Sequence, residues 1–240
     1  TPCLFVINQV DHEKANFDTT LEQIRSRFGP KAIPFQYPLQ TGSGFNTIID
    51  ALRMVMNVFP KDGGKPEKKA IPESEVGRAQ AMHQVLVEAA AENDESLMEK
   101  FFDEGNLSEE ELTKGLNIAL SNQQIFPIFC ASGKLNMGSG RIMGFIHDLG
   151  PSPADRPQPL STKGDPIAPD STAPVRVFIY KTISEPQVGN VSYFKVYSGT
   201  LRPGDDLINL ANSNHELIAQ IYVSERKTRE SVNELKAGDL

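Results

Sequence analysis

The chain has 240 residues, 39% of them hydrophobic and 23% charged, with a formal net charge of −7. That balance supports packed cores in one large domain or two ordinary ones and excludes general disorder. No run reaches the roughly 18–20 uninterrupted apolar residues of a membrane-spanning helix, so no membrane partner is expected. The charge is uneven: residues 73–111 carry twelve acids against two bases, a net of −10, which leaves +3 for the rest of the chain. The acidity is therefore local, and a basic contact surface elsewhere is compatible with it. Cys3 and Cys130 stand far apart in apolar runs and read as buried thiols of a reducing compartment. The histidines are scattered and no CxxC occurs, so no metal site is expected. The N-terminus has no basic lead or small-residue cleavage site and is not a secretory signal. Both ends read as cut, and the sequence is expected to be a piece of a longer chain.

Residues 3–7 form a short apolar run rich in β-formers and predict a buried strand of a parallel sheet. Phe17, Leu21, Ile24 and Phe28 recur at helical spacing, and Gly29-Pro30 stops that helix. Residues 33–58 predict strands or a hairpin around Thr41-Gly42-Ser43-Gly44, and 60–72 a loop. Two acidic helices follow, at 79–104 and 108–122. The second opens on a capping box in which Ser108 and Glu111 each satisfy an orphan backbone N–H. Ile125 to Cys130 predicts a second buried strand and Ser139 to Leu149 a further helix. Seven prolines between 151 and 174 mark an interdomain boundary. Beyond Pro174, alternating apolar residues (Val175, Val177, Ile179; Leu217, Ala219, Ile221) and closely spaced turns predict a small antiparallel barrel.

Three stretches carry candidate chemistry. Asn8-Gln9-Val10-Asp11 ends the first strand, the edge where open α/β sheets bind ligands. A carboxylate there accepts both N–H groups of a guanine edge, which adenine does not present, while an Asn ties neighbouring loops together. Cys130-Ala131-Ser132-Gly133-Lys134 follows the second strand, and its small residues let backbone N–H groups approach a base carbonyl. The third stretch, Val196 to Asp205, reads as two strands joined at a glycine corner.

Together these stretches resemble the translational GTPases. Phe5 to Asp11 is similar to their Asn-Lys-x-Asp guanine motif, and Pro127 to Gly133 to their second guanine loop. Residues 30–120 resemble the extra subdomain that elongation factor G carries inside its G domain. Ser198 to Asp205, with Ala237-Gly238-Asp239, resembles its second domain. The resemblance implies an α/β fold, the partial G domain with an α+β insert, at 1–150. A linker at 151–173 and an all-β barrel at 174–240 complete the expected order. It implies GTP or GDP as the ligand of the intact parent, a cytoplasmic factor of ribosomal translocation, and guanine contacts from Asn8, Gln9, Asp11, Ser132, Gly133 and Lys134. It further implies small-subunit ribosomal RNA as partner of the barrel, through Arg176, Lys181, Lys195, Arg202, Arg226, Lys227 and Arg229. The ribosomal stalk protein is the implied partner of the acidic helices, and DNA is not expected. Tyr193, Phe194 and Tyr197 either stack bases or pack in the barrel core.

Two departures qualify the expectation. Gln9 stands where the family has Lys, which predicts weaker guanine binding, and Gly133 replaces an alanine, which loosens its loop. No G-x-x-x-x-G-K-[ST] sequence occurs in the 240 residues, so no catalytic residue is assigned. Tight nucleotide binding and GTP hydrolysis are not expected of this chain alone. A ribosome-binding paralogue without nucleotide turnover, or a ribosome-protection or release-type relative, is the alternative reading.

Overall fold

A computed structural model describes residues 2–186, 189–225 and 228–240. The chain forms two compact units, Thr1–Pro151 and Ser152–Leu240. Unit 1 runs β1 (Phe5–Ile7), α1 (Phe17–Phe28), β2 (Ala32–Pro34), β3 (Gln36–Pro38), β4 (Thr47–Asp50), β5 (Val55–Val58), β6 (Glu67–Lys69), α2 (Glu73–Ala91), α3 (Glu95–Glu104), α4 (Glu109–Ser121), β7 (Phe126–Cys130) and α5 (Ser139–Leu149).

A parallel sheet in the order β1-β7-β2 is the frame of unit 1. Strand side chains alternate between faces, and β7 puts this to use. Phe129 joins Phe35, Leu86, Leu116 and Phe145 in one core, whereas Ile128 and Cys130 join Ile7, Phe17, Tyr37 and Ile48 in another. Phe129 and Phe145 ring centroids lie 4.8 Å apart, and Phe35 closes the cluster at 5.2 Å from Phe145. Burial pushes the Cys130 thiol well above its usual range, aided by the charge of Asp50, so this sulfur is inert. Cys3 is exposed, contrary to expectation: the strand proper starts two residues later.

The second sheet is antiparallel, order β3-β4-β5-β6. It contains the expected hairpin around residues 41–44 and one strand that the Pro- and Gly-rich composition of 60–72 hid. That strand, β6, reads Glu-Lys-Lys and is exposed along its length, which suits a charged edge that resists further pairing. The single helix expected over 79–104 is two helices. Asn93 donates its side-chain amide to Ala89 O at 3.0 Å, and the Asp94 carboxylate caps a new helix by accepting the Ser96 and Leu97 N–H groups. Helices α2 and α4 approach closely at Gly115, where an added Cβ would stand 2.4 Å from Ala90 O.

Asp50 is nearly inaccessible and is met by Arg141 of α5 at 2.7 Å. This buried pair joins the antiparallel sheet to the helix that follows β7, and removal of one partner alone would leave an uncompensated charge.

Unit 2 contains β8 (Arg176–Glu185), β9 (Gly189–Ser198), β10 (Thr200–Leu201), β11 (Asp206–Ile208), β12 (His215–Leu217), β13 (Ile221–Glu225), β14 (Thr228–Val232) and β15 (Leu235–Lys236). They pair antiparallel as β8-β9, β10-β15, β11-β12 and β13-β14. Val196, Leu201, Ile221 and Leu235 form the centre of this β domain. Among the described residues the pairing is these separate two-stranded ladders, wrapped on one small core. Residues 170–173 contribute to it: Asp170 O accepts the Gly199 N–H at 2.8 Å and Ser171 O accepts the Thr200 hydroxyl at 2.9 Å.

The capping box forms as expected, with Ser108 N–H donating to Glu111 Oε2 at 2.9 Å. Lys100 also meets Glu111, at 2.7 Å, and with the Ser108 contacts this holds the Glu111 carboxyl at about 2 instead of 4.5. A depressed carboxyl stabilises the fold above its unfolded value and ceases to do so as pH falls through the folded value. Glu111→Gln should therefore lower the thermal midpoint of the chain near neutral pH, and the difference from wild type should shrink as the pH falls from 4.5 toward 2. Circular dichroism melts across that window check both the sign and the window.

Candidate functional site

The chain turns sharply at the end of β1. Asn8 is exposed, Gln9 takes φ +60°, and Val10 is buried. A left-handed φ on a non-glycine residue is strained and persists only where its surroundings hold it. Here the Asn8 carboxamide does so: its Oδ1 accepts the Gln9 N–H at 2.8 Å and, from the other loop, the Gly133 N–H at 2.9 Å. Ala131 N–H donates to Ile7 O at 3.0 Å, so the two strand ends leave the sheet side by side. Asn8 thus ties the loops together as its residue type implied.

The second loop closes on itself. Ser132 and Met137 exchange two backbone hydrogen bonds, of 2.9 and 3.0 Å, and the Ser132 hydroxyl accepts the Leu135 N–H at 3.2 Å. Ser132 is fully buried, so its side chain shapes the loop, while Gly133 and Lys134 are exposed. A Cβ on Gly133 would meet Asn8 Oδ1 at 3.5 Å, an ordinary contact. Alanine fits there, and glycine costs only backbone entropy.

Asp11 is half-buried, and its Oδ1 is shielded without a hydrogen-bond partner. A shielded carboxylate oxygen without a donor is unfavourable. A cavity of about 240 Å³ lies beside the same loop, lined in part by Asn8, Gln9, His12, Lys14, Asn16 and Thr20. Asp11 and residues 132–134 are not on its wall, so this is a neighbouring cleft at the start of α1. No sequence pattern singled it out, because Lys14, Asn16 and Thr20 read as an ordinary helix start, and Asn16 does cap α1 by accepting the Thr19 N–H at 3.0 Å.

The four histidines make local contacts: His83 Nδ1 lies 2.9 Å from Ala51 O, His12 Nδ1 3.2 Å from Lys14 N, His147 Nδ1 3.0 Å from Asp148 Oδ1 and His215 Nδ1 2.8 Å from Asp206 Oδ2. Among the described residues no group of His, Cys, Asp and Glu is arranged to hold a metal, and no helix is long and apolar enough to cross a membrane.

In the β domain, the corner at 198–205 meets the segment 237–239. Gly199 takes φ +78°, and a Cβ there would stand 2.6 Å from Val175 Cα. Ala237 N–H donates to Gly199 O at 3.0 Å, and Val196 N–H to Asp239 O at 2.9 Å. Asp205 caps the turn by accepting the Arg202 N–H at 2.7 Å. Of the basic residues, Arg202 pairs with Glu234 at 2.8 Å and Arg229 pairs with Glu185. Lys181 and Lys195 lie over the rings of Tyr193 and Tyr197, at 5.6 and 5.8 Å. Arg226 and Lys227 lie outside the described residues. Phe194 packs against the core, whereas Tyr193 and Tyr197 are half-buried beside Tyr180 and Phe178.

The β domain carries the family match. Residues 174–240 match the family model described as elongation factor G domain 2. A crystal structure of a Thermus thermophilus protein is similar over 99% of this chain, with 27% identity and a TM-score of 0.79. Residues 174–240 are thus similar to elongation factor G domain 2, and the chain as a whole is similar in fold to the Thermus protein. It spans 33% of the length of that Thermus protein. The likeness runs through both units, so the mixed helix-and-sheet part and the β-rich part follow one another as in that Thermus protein.

Replacing the bridging side chain tests the site geometry. Asn8→Ala removes the shared acceptor, and the Gln9 and Gly133 amides should exchange with solvent about tenfold faster by NMR, the worth of a typical hydrogen bond. Asn8→Asp keeps an acceptor and should retain most of the protection.

Proposed function

We propose that the two strand-end loops read a guanine base and that the chain serves a ribosomal translocation factor. The observation that carries this is the Asn8 carboxamide holding the Gln9 and Gly133 N–H groups at once, in a chain whose β domain matches elongation factor G domain 2. In this reading the Asp11 carboxylate accepts the two N–H groups of the guanine edge, and its unpartnered Oδ1 supports the role. Asn8 orients the loops by holding the Gly133 N–H, the exposed Lys134 offers its backbone N–H to the base carbonyl, Ser132 shapes their loop, and Gln9 flanks the ring. GTP, when bound, supplies the phosphoanhydride whose hydrolysis drives the cycle. The phosphate-binding motif is not among these 240 residues, so in this reading phosphate contacts and turnover are not supplied by them. We expect no hydrolysis by this chain alone.

The β domain in this reading faces ribosomal RNA in the cytoplasm. Arg202 and Arg229 are engaged with acids, so Arg176, Lys181 and Lys195 are the better candidates for phosphate contacts, which position without reading sequence. The acidic helices α2, α3 and α4 suit a basic protein partner such as the ribosomal stalk. Gln9 favours a second reading: a ribosome-binding paralogue that works without nucleotide turnover. A Gln side chain is shorter than Lys and neutral, and it provides neither the aliphatic stem nor the charge.

Equilibrium competition between GDP and ADP on the full-length protein separates the readings. Guanine preference should be present and should drop by about tenfold or more in Asp11→Ala, the scale of losing a charged hydrogen bond. Gln9→Lys should tighten GDP binding. No preference in the wild type would favour the paralogue reading.

A further inference from the structure

The antiparallel sheet β3-β4-β5-β6 reaches both loops with its turns. In the β3–β4 turn, Gly42 N–H donates to Val10 O at 2.8 Å, and the Thr41 hydroxyl donates to Ala15 O at 2.9 Å. In the β5–β6 turn, Gly64 N–H donates to Asn136 O at 3.0 Å. Beside it Gly63 sits so close that a Cβ would stand 1.8 Å from Leu135 O. Beneath the loops, Ile48 of β4 and Met137 are both fully buried in one core, and a Cβ on Gly138 would come within 3.0 Å of Ile48 Cδ1. One turn therefore touches the loop of Asp11, and the other touches the loop of Gly133.

We propose that Thr41, Gly42 and Gly63 are positioning residues for base recognition, the sheet bracing each loop from outside. This rests on the guanine reading. Each loop contains a non-glycine residue at left-handed φ, Gln9 at +60° and Asn136 at +51°. Such conformations persist only where the surroundings over-determine them, and the Asn8 bridge is one exposed side chain. The turns add a further constraint on each loop separately. A braced loop needs less ordering when a base arrives, so losing a brace acts chiefly on the rate of release.

Gly63 and Gly64 allow a matched test in the full-length protein. Both take left-handed φ, +75° and +92°, so alanine strains the backbone at either, but only at Gly63 does the new Cβ collide; at Gly64 nothing lies within 4 Å. Two quantities are read: hydrogen exchange across residues 132–138, and the release rate of fluorescent GDP. Gly63→Ala should accelerate both by about tenfold, the collision being an overpacking effect, while Gly64→Ala, which keeps the N–H that Asn136 O accepts and adds backbone strain without a collision, should accelerate them clearly less. Equal behaviour of the two variants would overturn the brace. If the wild type binds no GDP, the guanine reading fails by itself, and exchange alone decides: unchanged protection in Gly63→Ala overturns the proposal, faster exchange upholds it. Should Gly63→Ala not fold, Thr41→Val removes only a hydroxyl. Faster exchange over residues 8–15 then supports the brace, and unchanged exchange refutes it.

Discussion

One carboxamide joins the two strand-end loops of unit 1. Asn8 Oδ1 accepts backbone N–H groups from Gln9 and from Gly133, which are separated by most of unit 1 in sequence. The parallel pairing of β1 with β7 brings the strand ends together, but a sheet fixes only where strands stop. A side-chain acceptor long enough to reach both amides converts two strand ends into one surface. The orphaned Asp11 oxygen and the exposed Gly133 and Lys134 acquire meaning only after that surface exists.

The rest of unit 1 serves the same end at greater distance. Alternation along β7 divides the interior into two cores, so the strand is gripped on both faces and its end is rigid. The Arg141–Asp50 pair joins the antiparallel sheet to α5, and the turns of that sheet rest on the loops. Excluding water from such a pair costs solvation, and its geometry offsets that cost. The acidic helices belong to this frame on one face only: α2 and α4 give Leu86 and Leu116 to the core around Phe129. Their capping box and the Lys100–Glu111 contact are local stabilisers, and their charge is available to a partner.

Much of this was legible in the residues. Apolar runs ending in Asn8 and Cys130 announced the two strands, and Ser108 with Glu111 announced the start of α4, because capping and burial are local in sequence. The glycine corner at 198–205 and Ala237-Gly238-Asp239 pointed to the β domain. Other features escaped for physical reasons. Asp94 ended one helix and began another through its own carboxylate, a choice that helical periodicity across the break concealed. Strand β6 is charged and exposed, so it lacks any apolar signature. Cys3 lies before the strand rather than in it. The contacts of Gly42 and Gly63 are tertiary: their glycines read as turn residues, and nothing in their neighbours names the loops they approach. Arg202 and Arg229 counted as free positive charge until their acid partners, remote in sequence, were in view.

The most direct test of the account is an NMR titration of the isotopically labelled chain with guanosine and, separately, adenosine. Nucleosides carry no phosphates, so the base-reading loops act alone. If the loops form a purine-edge site, guanosine shifts the amide signals of Gln9, Gly133 and Lys134 together and adenosine leaves them unmoved. Equal shifts with both nucleosides, or none with guanosine, would contradict it.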